Sequence, residues 1–193
     1  MSTLRDARVF GSIGGILLLF GGFVPYGGVI LLLIGLCLVF LGVKIISGIT
    51  RSRRISGNYL NYFIINIIAI FFIASIMITT FGAVGGFSFF TALEHIDTSN
   101  PQQLFSYLMP LLSGCFIALI IGWILFILSA VYLKRSYDMI AARTHAENFK
   151  ITGLVYLIGA ITSIVLLGFF IMFIARIFEI ISFFNLSDEI QLD

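Results

Sequence analysis

Apolar residues fill five long blocks of this chain, and short polar gaps separate the blocks. A helix needs roughly 20 residues, and at least about 17, to cross a hydrocarbon core about 30 Å thick. All five blocks reach that length, so the pattern predicts an all-α integral membrane protein, a five-transmembrane-helix bundle. The spans cover about residues 8–24, 27–46, 59–84, 101–133 and 151–184. They predict a single transmembrane domain over residues 1–193 with no soluble domain.

Pro25, Tyr26 and Gly27 separate the first two blocks. One continuous helix through both would be about 60 Å long, which is twice the thickness of the hydrocarbon core. The two blocks therefore predict a short N-terminal helical hairpin. Because the first block is short, a re-entrant segment that does not fully cross the membrane is the alternative.

Basic residues fall in alternate gaps between the blocks. With five spans, ten of the 11 Lys and Arg residues share one side: Arg5, Arg8, Lys44, Arg51, Arg53, Arg54, Lys134, Arg135, Arg143 and Lys150. The positive-inside rule makes that side cytoplasmic. The pattern predicts a multi-pass protein of the plasma membrane with a cytoplasmic N-terminus and an extracellular C-terminus. An aromatic belt is expected at the inner interface, formed by Tyr59, Tyr62, Tyr132 and Tyr137.

Composition agrees with a membrane setting, because the chain is 60% hydrophobic and 10% charged. Soluble domains are about 45–50% apolar and about 25% charged. A net charge of only +2 gives no electrostatic case for nucleic acid. The expected partners are the lipid bilayer and other membrane protein subunits.

Small residues recur along the second and fourth spans at helical spacing. They are Gly28, Gly35 and Gly42 in the second span, and Gly114, Ala118 and Gly122 in the fourth. Such stripes let helix backbones approach closely in lipid. They predict helix packing within the chain, with a homodimer face as the alternative.

Polar side chains inside the spans are few. Asn66, Ser75 and Thr79 lie in the third span, where they predict either a polar path for a solute or hydrogen bonds that hold helices together. The outer gap contains Phe87 and Phe89, which are too apolar for a solvated loop and predict a short interfacial helix.

Arg176 and Glu179 interrupt the fifth span and can face each other at a spacing of three residues. Along one helix that starts at Ile151, Arg176 lies about 37 Å from the inner end, which places the pair at the outer interface. The pair is then either a snorkelling pair or a partner edge, where an external protein docks.

The chain lacks the patterns of known catalytic sites. It contains no Gly-rich phosphate loop and no paired carboxylates within a span, and His95 and His145 are predicted on opposite sides of the membrane. The sequence therefore predicts no enzyme activity, no catalytic residue, no metal site and no cofactor. A membrane enzyme or electron carrier would need a bound cofactor.

Several short motifs resemble an archaeal family of multi-pass membrane proteins known only as a domain of unknown function. They are Leu4-Arg5-Asp6-Ala7-Arg8 with Gly11 and Gly14-Gly15, then Ser136-Tyr137-Asp138, Ala142-Arg143-Thr144, Thr152-Gly153-Leu154, Ile158-Gly159-Ala160 and Phe183-Phe184. The resemblance implies an archaeal plasma membrane. It brings no activity, cofactor or catalytic residue with it.

Close-packing glycines are plentiful in the spans and polar side chains are scarce. We therefore expect a non-enzymatic structural or accessory component of a membrane complex. The alternative is a small oligomeric transporter or channel, which would need a continuous polar path.

Overall fold

Helices make up all the regular secondary structure in the part of the chain that the computed structural model describes. That part comprises residues 3–21, 23–25, 27–83, 85–86, 88, 101–165 and 167–187. The helices are α1 (Leu4–Gly21), α2 (Gly28–Ile49), α3 (Arg53–Ala83), α4 (Pro101–Thr144), α5 (Asn148–Thr162) and α6 (Leu167–Phe184). A 3-10 turn (Ser163–Val165) lies between α5 and α6.

Among the described residues, five helical segments are long and apolar enough to cross a membrane. They are α2, α3, Leu108–Thr144 of α4, Asn148–Val165 and α6. The predicted all-α membrane fold is therefore confirmed, and the number of such helices is the expected five. These five helices do not correspond one to one with the five predicted spans. The predicted first span is not among them, and the predicted fifth span contains two of them.

The predicted fifth span, 151–184, is divided into two helices that pack against each other. The hydroxyl group of Ser182 on α6 lies 2.9 Å from that of Thr152 on α5. At the reversal, the Ser163 hydroxyl donates to the carbonyl oxygen of Ala160 at 2.8 Å. Gly159 and Gly168 make the close approach possible, because a Cβ at Gly159 would lie 3.1 Å from the carbonyl oxygen of Gly168. A hairpin thus replaces one helix that would have been about 51 Å long.

The reversal changes the expected placement of the chain's two ends. The Nε atom of Arg8, near the start of α1, donates to the carbonyl oxygen of Leu186, just after α6, at 3.0 Å. Two residues in direct contact cannot lie on opposite faces of a hydrocarbon core about 30 Å thick. The expectation of a cytoplasmic start and an extracellular finish is therefore wrong for residues 8 and 186.

Helices α1 and α2 form the N-terminal hairpin that Pro25 predicted. Its contacts run along the predicted glycine stripe, since a Cβ at Gly35 would lie 2.8 Å from the carbonyl oxygen of Gly14. A Cβ at Gly42 would lie 3.0 Å from the carbonyl oxygen of Ala7, and one at Gly28 would collide with the carbonyl oxygen of Gly21. Each of these approaches brings two backbones together in a way that a larger residue would prevent.

Helices α3 and α4 are longer than the spans predicted for them. With 31 and 44 residues, they measure about 46 and 66 Å at about 1.5 Å per residue. Helix α4 continues through Pro110 and runs on to Thr144, beyond the predicted end at residue 133. The interfacial helix expected around Phe87 and Phe89, like the position of His95, falls outside the described residues.

The chain forms two compact units, and α3 and α4 contribute to both. The first unit contains Met1–Ile65 and Phe126–Asp193, and the second contains Asn66–Leu125. In the second unit α3 and α4 pack through small residues: a Cβ at Gly122 would lie 2.7 Å from Ile73, and one at Gly114 would collide with Thr80. In the first unit the core consists of large side chains that are completely buried, among them Tyr59, Tyr62, Tyr137, Phe149 and Phe183.

Candidate functional site

Arg176 and Glu179 lie inside the first unit and not at the outer edge that the sequence predicted. Arg176 is nine residues after the start of α6 and eight before its end, which places it about 12–14 Å from either end of the helix. The side chain of Arg176 is 16% exposed and that of Glu179 is 1% exposed. The predicted depth was wrong because it was measured along one continuous helix from Ile151.

The two side chains form an ion pair that tyrosines surround. Nη1 of Arg176 donates to Oε2 of Glu179 at 2.6 Å. Nη2 of Arg176 donates to the hydroxyl oxygens of Tyr62 at 3.0 Å and Tyr156 at 3.2 Å. The Tyr137 hydroxyl donates to Oε1 of Glu179. The site therefore joins α3, α4, α5 and α6 through hydrogen bonds to one charged pair.

Aromatic packing holds the tyrosines in place. The guanidinium carbon of Arg176 lies 4.9 Å from the centre of the Tyr156 ring, a cation–π distance. The rings of Tyr62 and Tyr156 meet edge to face at 6.1 Å, and those of Tyr59 and Tyr62 at 5.2 Å. Edge-to-face pairs of this kind stabilise an aromatic cluster beyond the area it buries. We call Tyr59, Tyr62, Tyr137 and Tyr156 the tyrosine cluster.

Tyr59 differs from the other three members of the cluster. Its side chain is fully buried, and its hydroxyl group has no hydrogen-bond partner among the described residues. Removing a hydroxyl from water without a partner costs about 1–3 kcal/mol. The first unit thus contains an ion pair that tyrosine hydroxyl groups bind and, beside it, one tyrosine hydroxyl with unused hydrogen-bonding capacity.

The charges of the pair cancel, which makes their burial tolerable. A lone Arg or Asp at the centre of a membrane helix costs roughly 2.5–3.5 kcal/mol on insertion scales. Here each charge has its counter-charge and at least one tyrosine hydroxyl. Chemically, the arrangement can hold four helices in register, or it can hold charge at mid-depth in a membrane. Among the described residues no group of three or more His, Cys, Asp or Glu could hold a metal ion.

The polar residues that the sequence singled out in the third span belong to the second unit. Ser75 and Thr79 are exposed side chains of the second unit. The Thr79 hydroxyl donates to the carbonyl oxygen of Ser75 at 2.9 Å, a bond within its own helix. Asn66 also belongs to the second unit, where its side chain is half-buried.

Three of the four site tyrosines were assigned a different place by the sequence. Tyr59, Tyr62 and Tyr137 were expected in an aromatic belt at the inner interface, but all three are buried. The sequence did contain a signal, because an Arg and a Glu within an apolar helix must find hydrogen-bond partners in the protein. Tyr156, on another apolar helix, is such a partner.

Comparison with known proteins identifies the family of the chain but does not assign an activity. Residues 31–177 match the family described as proteins of unknown function, DUF996. An uncharacterized protein of Methanocaldococcus jannaschii is 30% identical over 189 residues, which cover 97% of this chain and 96% of that protein. No solved structure matches the chain. The match covers most of the chain, including all the residues of the ion pair and its tyrosines except Glu179, and the chain therefore belongs to the DUF996 family.

Proposed function

We propose that this protein is a non-enzymatic structural or accessory component of a membrane complex. The observation that supports the proposal is the hydrogen bonding of both members of the buried ion pair by the protein itself. Arg176 and Glu179 use hydrogen bonds to tyrosines on three other helices, so the charges serve to fix helix positions. A buried pair of this kind selects one packing arrangement, as buried polar groups do in some other helical assemblies.

The second unit offers a surface through which such a component can meet a neighbour. Its helices α3 and α4 pack on each other through Gly114 and Gly122. Large apolar side chains of both helices stay exposed, including Phe71 and Ile78 on α3, each 72% exposed, and Phe116 on α4, 64% exposed. We infer that another membrane subunit covers part of this surface, with lipid on the remainder.

A photo-crosslinking residue at Ile78 in native membranes tests the proposal. One protein adduct in stoichiometric amount is expected, and the same partner should copurify in mild detergent. The matched control is Ile158, an exposed position on α5. Crosslinks to lipid alone at Ile78, together with recovery of an isolated monomer under every extraction condition, would contradict the accessory role.

We further propose that the chain crosses the plasma membrane six times, with α1 as the first crossing. Both ends of the chain then lie in the cytoplasm. Contact between Arg8 and Leu186 supports this arrangement. All ten basic residues outside α6 then lie on the cytoplasmic side, as the positive-inside rule requires.

Cysteine labelling tests the topology. With Cys37 and Cys115 replaced by Ala, a membrane-impermeant maleimide should fail to label Ser52→Cys and Ser187→Cys in intact cells. It should label Val24→Cys, in the turn between α1 and α2. Labelling of Ser187→Cys from outside would reject the placement of the C-terminal end.

A small oligomeric transporter or channel is a second candidate, and a charged pair within the membrane favours it. Ionisable residues at this depth often belong to ion or proton pathways. In this case Glu179 and Tyr59 would line the path, in place of Asn66 and Thr79. Solute flux in proteoliposomes that Glu179→Gln abolishes and Asn66→Leu leaves unchanged would support transport. Equal flux from wild type and Glu179→Gln would reject that path.

A further inference from the structure

Four exposed arginines lie near the end of the first unit where α2, α3 and α4 meet. Arg51 follows α2, Arg53 and Arg54 begin α3, and Arg135 belongs to α4. The Ser136 hydroxyl donates to the carbonyl oxygen of Ile55 at 2.9 Å, and this contact brings the backbone beside Arg135 next to that beside Arg54. We call these four residues the arginine face.

Positive charge on the arginine face is not neutralised by the protein that surrounds it. None of the four forms an ion pair with another residue in the described part of the chain. Asp138, three positions after Arg135, is already bound by Lys134 at 2.5 Å. The face therefore presents four guanidinium groups to its surroundings.

Arg51 occupies a backbone position that suits glycine. Its φ angle is +52°, in the left-handed region that most residues avoid. The N–H groups of Arg51 and Ser52 donate to the carbonyl oxygens of Gly48 and Ser47, which is the Schellman pattern at the end of a helix. At the end of α3 the corresponding residue is Gly85, with φ +97°. A cation at this position of the α2–α3 turn adds charge where glycine would fit without strain.

Arg135 lies beside a tyrosine, a residue type that is common at membrane interfaces. Its guanidinium carbon lies 5.7 Å from the centre of the Tyr132 ring, and Tyr132 is half-buried. Tyrosines concentrate at the level of the lipid headgroups, and Arg and Lys side chains near that level reach into it. The guanidinium fork matches phosphate geometry and can bind it through two parallel hydrogen bonds.

We propose that the arginine face binds the phosphate groups of anionic phospholipids in the adjoining leaflet. The occupant follows from charge complementarity and depth, since uncompensated guanidinium groups lie where anionic headgroups are concentrated. The proposal does not depend on the accessory role and holds for a transporter as well.

Native mass spectrometry of the full chain, purified in neutral detergent, can compare how strongly it retains phosphatidylglycerol and phosphatidylcholine. The wild type should prefer phosphatidylglycerol, and Arg54→Gln/Arg135→Gln should weaken its binding about 25-fold, at about fivefold for each basic residue removed. The matched control, Arg143→Gln/Lys150→Gln, removes two exposed basic residues at the α4–α5 end and should change the affinity less than the first double variant.

Two further measurements keep the outcome decisive. Arg54→Lys/Arg135→Lys retains both charges and should keep most of the preference even if the Gln variant folds poorly, and high salt should weaken binding by screening. Equal retention of the two lipids by the wild type would overturn the proposal. Full preference in the Gln variant, or displacement of the lipid by millimolar inorganic phosphate, would overturn it as well.

Discussion

The side chain of Arg8 bonds to the carbonyl oxygen of Leu186 across 178 positions of the chain, at 3.0 Å from Nε. Next to this contact α1 and α6 lie antiparallel, with Gly11 against the Phe183 ring and a Cβ at Gly15 only 2.8 Å from Ile180. The N-terminal and C-terminal hairpins of the first unit are therefore joined through their outer helices. Guanidinium binding also gives the carbonyl group of Leu186, which lies just after α6, a hydrogen-bond partner.

Removing one member of the buried ion pair should destabilise the protein strongly. Glu179→Leu leaves the Arg176 charge inside the first unit, and loss of one partner from a buried pair costs about 3–5 kcal/mol. The double variant Arg176→Met/Glu179→Leu should recover most of that loss, because it removes both charges. Reversible unfolding in detergent, followed by circular dichroism, measures both effects. Glu147→Gln, at an exposed position, is the control. Equal stability of Glu179→Leu and Glu147→Gln would contradict a buried ion pair.

Two members of the tyrosine cluster should respond differently to loss of their hydroxyl groups. Tyr137→Phe removes a donor to charged Glu179, and such bonds contribute about 1.5–3 kcal/mol. Tyr59→Phe removes a buried hydroxyl without a partner, so stability should stay the same or increase. The same unfolding measurement compares them as a matched pair. A large loss with Tyr59→Phe would show that this hydroxyl has a partner.

Length and hydrophobicity predicted long apolar helices in the regions where the structure has α2 and α3. The reversal between α5 and α6 was missed because it contains no proline or charge. In lipid, hydroxyl groups such as that of Ser163 bond to their own helix, and Gly168 permits close contact, so an apolar run can turn without polar residues. The length of the predicted fifth span, too great for one crossing, was the available signal.

The charge pattern could not distinguish five crossings from six. Lys150 is the last basic residue in a connection between helices, and the missed reversal at Ser163 lies after it. Each connection before Ser163 lies on the same side of the membrane whether the chain crosses it five or six times. Similarly, the tyrosine cluster could not be predicted, because its members come from α3, α4 and α5 and meet only through tertiary packing.

Glycines that lie in the contact between α1 and α2 should tolerate no added side chain. Gly35→Ala places a methyl group 2.8 Å from the carbonyl oxygen of Gly14, and overpacking of this kind costs about 1–3 kcal/mol. Gly48→Ala is the matched control on the same helix, since nothing lies within 4 Å of its Cβ position. Alanine there should raise stability by up to about 1 kcal/mol through helix propensity. Equal behaviour of the two variants would contradict the packing of α1 on α2.

Arg51→Gly should stabilise the turn between α2 and α3. The left-handed conformation of Arg51 costs roughly 1–2 kcal/mol for a residue with a Cβ, and glycine gives back part of that gain as chain entropy. The expected net gain is about 0.5–1 kcal/mol, measured by unfolding in neutral detergent so that lipid charge does not contribute. Gly85→Ala, at the matching position after α3, should lose stability because alanine must adopt φ +97°. If Arg51→Gly instead lowered stability in neutral detergent, the arginine side chain would be stabilising the turn. The presence of arginine at this position would then be explained without anionic lipid.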